Sequence, residues 1–132
     1  MNRLLNEIKN DEGFMPNPYK DSLGIPTIGY GTKLPLDKDE AELLLKHRFE
    51  KIKKELEQRV LFLKELDQQA QDILLNMAYN MGVPRLLGFK RMLKALNQKD
   101  YKRASDEMID SKWYKQVGDR ARRLVLKMHN LG

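Results

Sequence analysis

EGFMPNPYKDSLGIPTIGYGT, residues 12–32, decides how the rest of the chain is read. These 21 residues hold four glycines, three prolines and three Tyr or Phe residues. Only two carboxylates occur among them, Glu12 and Asp21. Proline removes a backbone donor and glycine gives up helix-favouring restriction, so the stretch is not helical. "DSLG" (21–24) reads as a turn, and "TIGY" (27–30) can supply a short strand. Two or three short antiparallel strands are expected over residues 14–34.

Helices flank this stretch. Leu4, Leu5 and Ile8 recur at helical spacing, so residues 3–12 read as a short amphipathic helix that Gly13 stops. After it, "LDKDE" offers Asp37 as an N-cap with Glu40 three residues on, the pattern of a capping box. Ala41, Leu45, Phe49, Ile52 and Leu56 continue as an apolar stripe, predicting a long helix over about 38–58. Its other face is charged and solvated. The remainder, 60–132, reads as all helical. Ile73, Leu74, Met77, Ala78 and Met81 form a strongly apolar helix ending at Gly82, the expected core of that region. "GFKRMLKALNQ", "DYKRASDEMID" and "DRARRLVLKMHN" are further amphipathic helices.

The expectation is one α+β domain over 1–132, mostly helical, in two lobes. A small antiparallel β N-lobe spans about 13–36, and a long connecting helix spans about 38–58. A helical C-lobe spans about 60–132, with helix 1–12 packing on it. A cleft between two such lobes is a common place for a binding site.

The totals narrow the function. With no cysteine among 132 residues, disulfides and thiolate metal sites are excluded. Two histidines, His47 and His129, lack companions at metal-ligand or triad spacing. Gly29 and Gly31 lack the setting of a dinucleotide fingerprint, and there is no P-loop. No segment has about 20 consecutive apolar residues, so no membrane insertion is expected. The first residues show no signal-peptide run. The net charge of +6 is uneven. Residues 1–84 carry 12 basic and 14 acidic groups, and residues 85–132 carry 13 basic and 5 acidic groups. Such a basic half suits a polyanion, either nucleic acid or the anionic bacterial envelope, or else serves solubility.

Most acids alternate with bases along helices, but Glu12 and Asp21 do not. Glu12 ends a helix, where the negative end of the helix dipole disfavours charge on a carboxylate. Asp21 sits in a turn whose backbone N–H groups favour its ionised form. Glycoside hydrolysis requires two carboxylates in unlike environments, one to donate a proton and one to stay ionised. On this reading Glu12 is the acid. The plainer alternatives are a surface acid at a helix end and a turn-forming aspartate.

At these residues the sequence resembles the phage-type lysozymes, the muramidases of glycoside hydrolase family 24. "DEG" (11–13), "YKDSLG" (19–24) and "PTIGYG" (26–31) are similar to the family's N-terminal signature. Its pattern of Glu, eight residues, Asp, five residues and Thr falls on Glu12, Asp21 and Thr27. "DKDEAE" (37–42), "LLNMAYNMG" (74–82), "GF" (88–89) and "SKWYKQVGDRARR" (111–123) extend the resemblance along nearly the whole chain. It implies a lysozyme-like fold, no cofactor, and hydrolysis of the β-1,4 bond between N-acetylmuramic acid and N-acetylglucosamine in peptidoglycan. Glu12 would protonate the glycosidic oxygen, Asp21 would act on the opposite side of the sugar, and Thr27 would help place water. Arg120 matches the family arginine that approaches the catalytic glutamate. Tyr79 and Asn80 match substrate-facing positions, although Tyr79 also fits a core role. Trp113 reads as core.

Four departures stand out. Thr32 replaces a frequent histidine, and only residues 33–36 separate the strands from the long helix. Lys33, Met92 and Glu107 differ in type at other substrate-contact positions, so no role passes to them. The chain also stops at Gly132, short of the family's usual C-terminal tail. The resemblance further implies a monomer held in the host cytoplasm until a holin releases it to the wall. The rival readings are a lytic transglycosylase, a non-catalytic wall-binding module and a nucleic-acid binder. The last has only one basic helix and no docking motif to support it.

Overall fold

A computed structural model describes residues 2–132. The chain divides into two compact units, the first ending at Leu45 and the second running from Lys46 to Gly132.

The first unit opens with α1 (Asn2–Glu12). Gly13 ends it in the left-handed region, at φ 73°, and donates its N–H to the Lys9 carbonyl at 2.8 Å. A glycine at that position avoids the Cβ clash that other residues would meet. Three strands follow, β1 (Met15–Lys20), β2 (Pro26–Gly29) and β3 (Thr32–Lys33). They form an antiparallel sheet in the order β1-β2-β3. The register sets Tyr19 opposite Thr27 and Thr27 opposite Lys33, so three strands contribute one row across the sheet. β1 tolerates Pro16 and Pro18 because it is an edge strand and its register slips between Met15 and Tyr19. Thr27 is the one buried residue of this unit among those described.

The long helix α2 (Lys38–Arg59) begins with the expected capping box. The Glu40 N–H donates to Asp37 Oδ1 at 2.8 Å, and the Asp37 N–H donates to Glu40 Oε1 at 2.9 Å. Each side chain thereby satisfies a backbone donor that the first helical turn leaves free. The apolar stripe of α2 is covered only toward its end. Leu45 is 48% exposed, Phe49 and Ile52 are half-buried, and Leu56 is fully buried.

In the second unit a 3-10 turn (Leu63–Glu65) leads into α3 (Gln68–Met81), which Asp67 caps by accepting the Gln69 N–H. Then come α4 (Val83–Leu87), α5 (Lys90–Asn97), α6 (Tyr101–Ile109), α7 (Lys112–Val117) and α8 (Asp119–His129). α3 packs on α4 and α8, and α6 packs on α5 and α8. Ile73, Leu74, Met77, Leu86, Leu96, Met108 and Met128 are buried together, with Trp113 at the margin. This is the apolar core that the 3.6-residue periodicity of each helix prescribes.

Truncation of Leu74 to Ala removes a buried side chain from the centre of that core. The expected cost is about 2–5 kcal/mol. Urea unfolding followed by fluorescence of Trp113, the sole tryptophan, measures it directly.

Candidate active site

The first unit holds three of the residues singled out by the sequence: Glu12, Asp21 and Thr27. Glu12 is the last residue of α1. Its carboxylate lies against Gly31, and a Cβ added to that glycine would overlap it. Gly31 also has φ 71°, so two independent constraints require glycine there.

Asp21 follows β1 and organises the turn to β2. Its carbonyl accepts the Gly24 N–H at 2.9 Å, and its own N–H donates to the Ile25 carbonyl at 3.0 Å. Its Oδ1 accepts two backbone N–H groups, from Leu23 at 2.9 Å and Ile25 at 2.8 Å. Its Oδ2 accepts from the Lys33 ammonium at 2.6 Å. The Asp21 side chain is 14% exposed, against 51% for Lys33. The Lys33 hydrogen bond, then the Ile25 N–H, holds the Asp21 carboxyl below the usual carboxylate range, despite an opposing contribution from desolvation. The same hydrogen bond raises the Lys33 ammonium above its ordinary value. Asp21 is therefore an anion throughout the neutral range.

Thr27 lies in the central strand between Tyr19 and Lys33 and is fully buried. Its hydroxyl donates to the Ile25 carbonyl at 2.8 Å. With the hydroxyl hydrogen committed, only its lone pairs remain to hold a partner.

The second unit holds the other three. Arg120 donates from Nε to Asn76 Oδ1 at 2.8 Å and from Nη2 to the Asn76 carbonyl at 3.3 Å. Asn80 accepts the Trp113 indole N–H at 2.9 Å. Because an indole nitrogen only donates, the amide oxygen of Asn80 must face it, and the amide NH2 is left as a donor. Tyr79 is 37% exposed at the end of α3, so it is not a core residue, whereas Trp113 is buried as expected. Three participants escaped the sequence reading. Lys33 and Asn76 were given no role, and Gly31 was read as part of a motif but not as a contact of Glu12. A lysine 12 residues from its aspartate shows no local pattern, and only the β2–β3 register connects them.

One helix, a small antiparallel sheet and a helical unit with an apolar core compose a lysozyme-like α+β fold. The family model for phage lysozyme matches residues 9–129. A probable T4-type lysozyme of Dictyostelium discoideum is 28% identical, the match covering 89% of this chain and 88% of that protein. The endolysin of Salmonella phage P22 is 27% identical over 80% of this chain and 77% of its own. The pre-baseplate central spike protein of enterobacteria phage T4 is 29% identical over 90% of this chain but only 26% of its own length. The chain belongs to the phage lysozyme family. It is accordingly a cell-wall lytic enzyme of the glycoside-hydrolase type, with peptidoglycan as its substrate.

Two substitutions separate the strain of a left-handed glycine from the contact with Glu12. Gly29, at φ 69°, has open space where a Cβ would go. Gly29→Ala and Gly31→Ala should each lose about 1–2 kcal/mol of stability from backbone strain. Only Gly31→Ala should also displace Glu12, and lysis of wall suspensions should then fall by about 100-fold. Equal activities for the two variants would contradict the packing of Glu12 on Gly31.

Proposed function

We propose that the enzyme is a muramidase that hydrolyses the β-1,4 bond between N-acetylmuramic acid and N-acetylglucosamine. The observation that carries this reading is the unlike setting of two carboxylates in one small unit. Asp21 is tied to three donors and kept ionised, whereas Glu12 ends a helix and rests on a glycine. Pairs of this kind divide acid and anion roles in glycoside hydrolysis. Glu12 donates its proton to the glycosidic oxygen as the bond from the anomeric carbon to that oxygen breaks. Asp21, on the opposite face of the sugar, stabilises the positive charge that develops there. Water adds to the anomeric carbon and passes its proton to Asp21, giving inversion. By family analogy, Thr27 helps to place that water. Solvent then returns both carboxylates to their starting states.

Tyr79 and Asn80 are the proposed sugar contacts of the second unit, through an aromatic face and an outward amide NH2. Arg120, fixed by Asn76, is the supporting cation. The protein acts as a monomer and needs no cofactor. By family analogy it waits in the host bacterial cytoplasm until a holin opens the membrane.

Glu12→Gln should reduce lysis by about 100- to 10,000-fold, and Asp21→Asn should reduce it comparably. Both substitutions nearly preserve side-chain shape. Mass spectrometry of the digested wall should give a reducing muramic acid end. An anhydro sugar would instead make the protein a lytic transglycosylase, and full lysis by Glu12→Gln would remove that residue from the chemistry.

Residues 85–132, with net charge +8, provide a proposed long-range attraction to the anionic wall. Going from about 0.01 M to 1 M salt shortens the screening length from about 30 Å to about 3 Å. Binding of the protein to purified wall, measured by co-sedimentation, should weaken steeply over that range. Binding indifferent to salt would exclude an electrostatic role.

A further inference from the structure

A carboxylate has about four acceptor sites, two on each oxygen. On Asp21, the Leu23 and Ile25 N–H groups fill both sites of Oδ1. The Lys33 ammonium fills one site of Oδ2 at 2.6 Å. One acceptor site remains, and it belongs to Oδ2.

We propose that Lys33 is a positioning residue for the reaction: together with the turn it fixes the Asp21 carboxylate so that a single Oδ2 site faces the reacting water or sugar. The inference rests on the muramidase reading of Asp21 above. Without Lys33 the turn still holds Oδ1, but Oδ2 has two open sites and no fixed partner, so a productive orientation becomes one of several. The strand register supplies the mechanism. Lys33 lies directly across from Thr27, which lies across from Tyr19. The lysine therefore approaches Asp21 from the far strand while the turn approaches it from the near one. Lys33 touches no reacting atom in this scheme and acts through Asp21.

A pH effect follows with a definite sign. The cation favours the ionised carboxylate, so in the wild-type chain Asp21 takes up a proton only at unusually low pH. Its contributions to stability and activity are fully present above the ordinary carboxylate value of about 3.9 and are lost as pH falls through the lowered folded-state value. Removing the cation moves that loss to higher pH. Glu12 at the end of α1 and Tyr19 on β1 also act on Lys33, each favouring its charged form. Lys20 adjoins Asp21 in sequence. The coupling of Glu12 and Tyr19 to Lys33 is lost together with the lysine, so the Asp21 carboxyl is read directly by NMR and not from the pH profile alone.

The test compares Lys33→Met and Lys33→Arg with the wild-type chain, using a soluble peptidoglycan fragment as substrate. Lys33→Met should lower kcat at neutral pH by about 10- to 100-fold with KM changed less than about twofold. Its acid limb should move to higher pH, and Lys33→Arg should restore both properties. Carbon NMR of the Asp21 carboxyl, assigned against Asp21→Asn, reads the same upward shift without any catalysis. If the NMR shift occurs in a chain that does not cleave the fragment, the muramidase reading has failed while the ion pair stands. If neither the titration nor the acid limb moves in Lys33→Met, the positioning role is overturned. A rise in KM alone would overturn it too, because Lys33 would then be binding substrate.

Discussion

The Asp21 carboxylate is the interaction on which the first unit depends. Three donors converge on it, from Leu23, Ile25 and Lys33. They join the turn between β1 and β2 to the far strand β3. A unit with one buried residue among those described, and that residue a threonine, has little apolar burial to organise it. Its order comes instead from turn hydrogen bonds, from glycines in the left-handed region and from a charge-assisted contact. Charge-assisted bonds are roughly twice as strong as neutral ones, which suits a small sheet that lacks an apolar interior.

The second unit follows the opposite rule. Its helices close over Ile73, Leu74, Met77, Leu86, Leu96, Met108 and Met128, and its polar contacts lie at the margins. Two of these margins hold side chains that the proposed function uses. Asn76 fixes Arg120, and Trp113 fixes Asn80. In both pairs a donor-only group leaves the amide a single choice of orientation. Core and site are thereby coupled in Trp113, whose ring packs inward and edge-on to Phe89 while its N–H orients a surface amide.

What could be read in the sequence was local. The stop at Gly13, the turn at 21–24, the Asp37–Glu40 box and the end of α3 at Gly82 each follow from residues within four positions of one another. Each appears in the structure. Three strands stand where two or three were expected, and α6 and α8 fall on their amphipathic segments. The turn chemistry of Asp21 was legible for the same reason. The contacts that fix the candidate residues within each unit join positions far apart in the chain. Lys33 meets Asp21 across 12 residues, Arg120 meets Asn76 across 44, and Trp113 meets Asn80 across 33. The Glu12–Gly31 approach also needs the sheet to exist first. None has a local pattern, since each is decided by register or helix packing. The stripe of α2 misled in a related way: periodicity marks which face can be buried, but a neighbour must cover it, and Leu45 stays half-exposed.

In the proposed mechanism the same three donors set a trade-off. Every hydrogen bond to Asp21 lowers its affinity for a proton, which weakens it as a base. Every bond also removes a way for the carboxylate to turn, which raises the share of time it points correctly. In an oxocarbenium-like transition state, positive charge develops on the sugar, and water's proton must also leave before the reaction is complete. A fixed anion stabilises the first of these at no cost of reorganisation, because its dipoles and charges are already in place. Orientation then contributes more than basicity, and a lysine beside the anion is compatible with catalysis so long as one oxygen site is left open. The acceptor inventory of Asp21 satisfies that condition with a single site, so the proposed chemistry depends on the geometry of one turn and one strand.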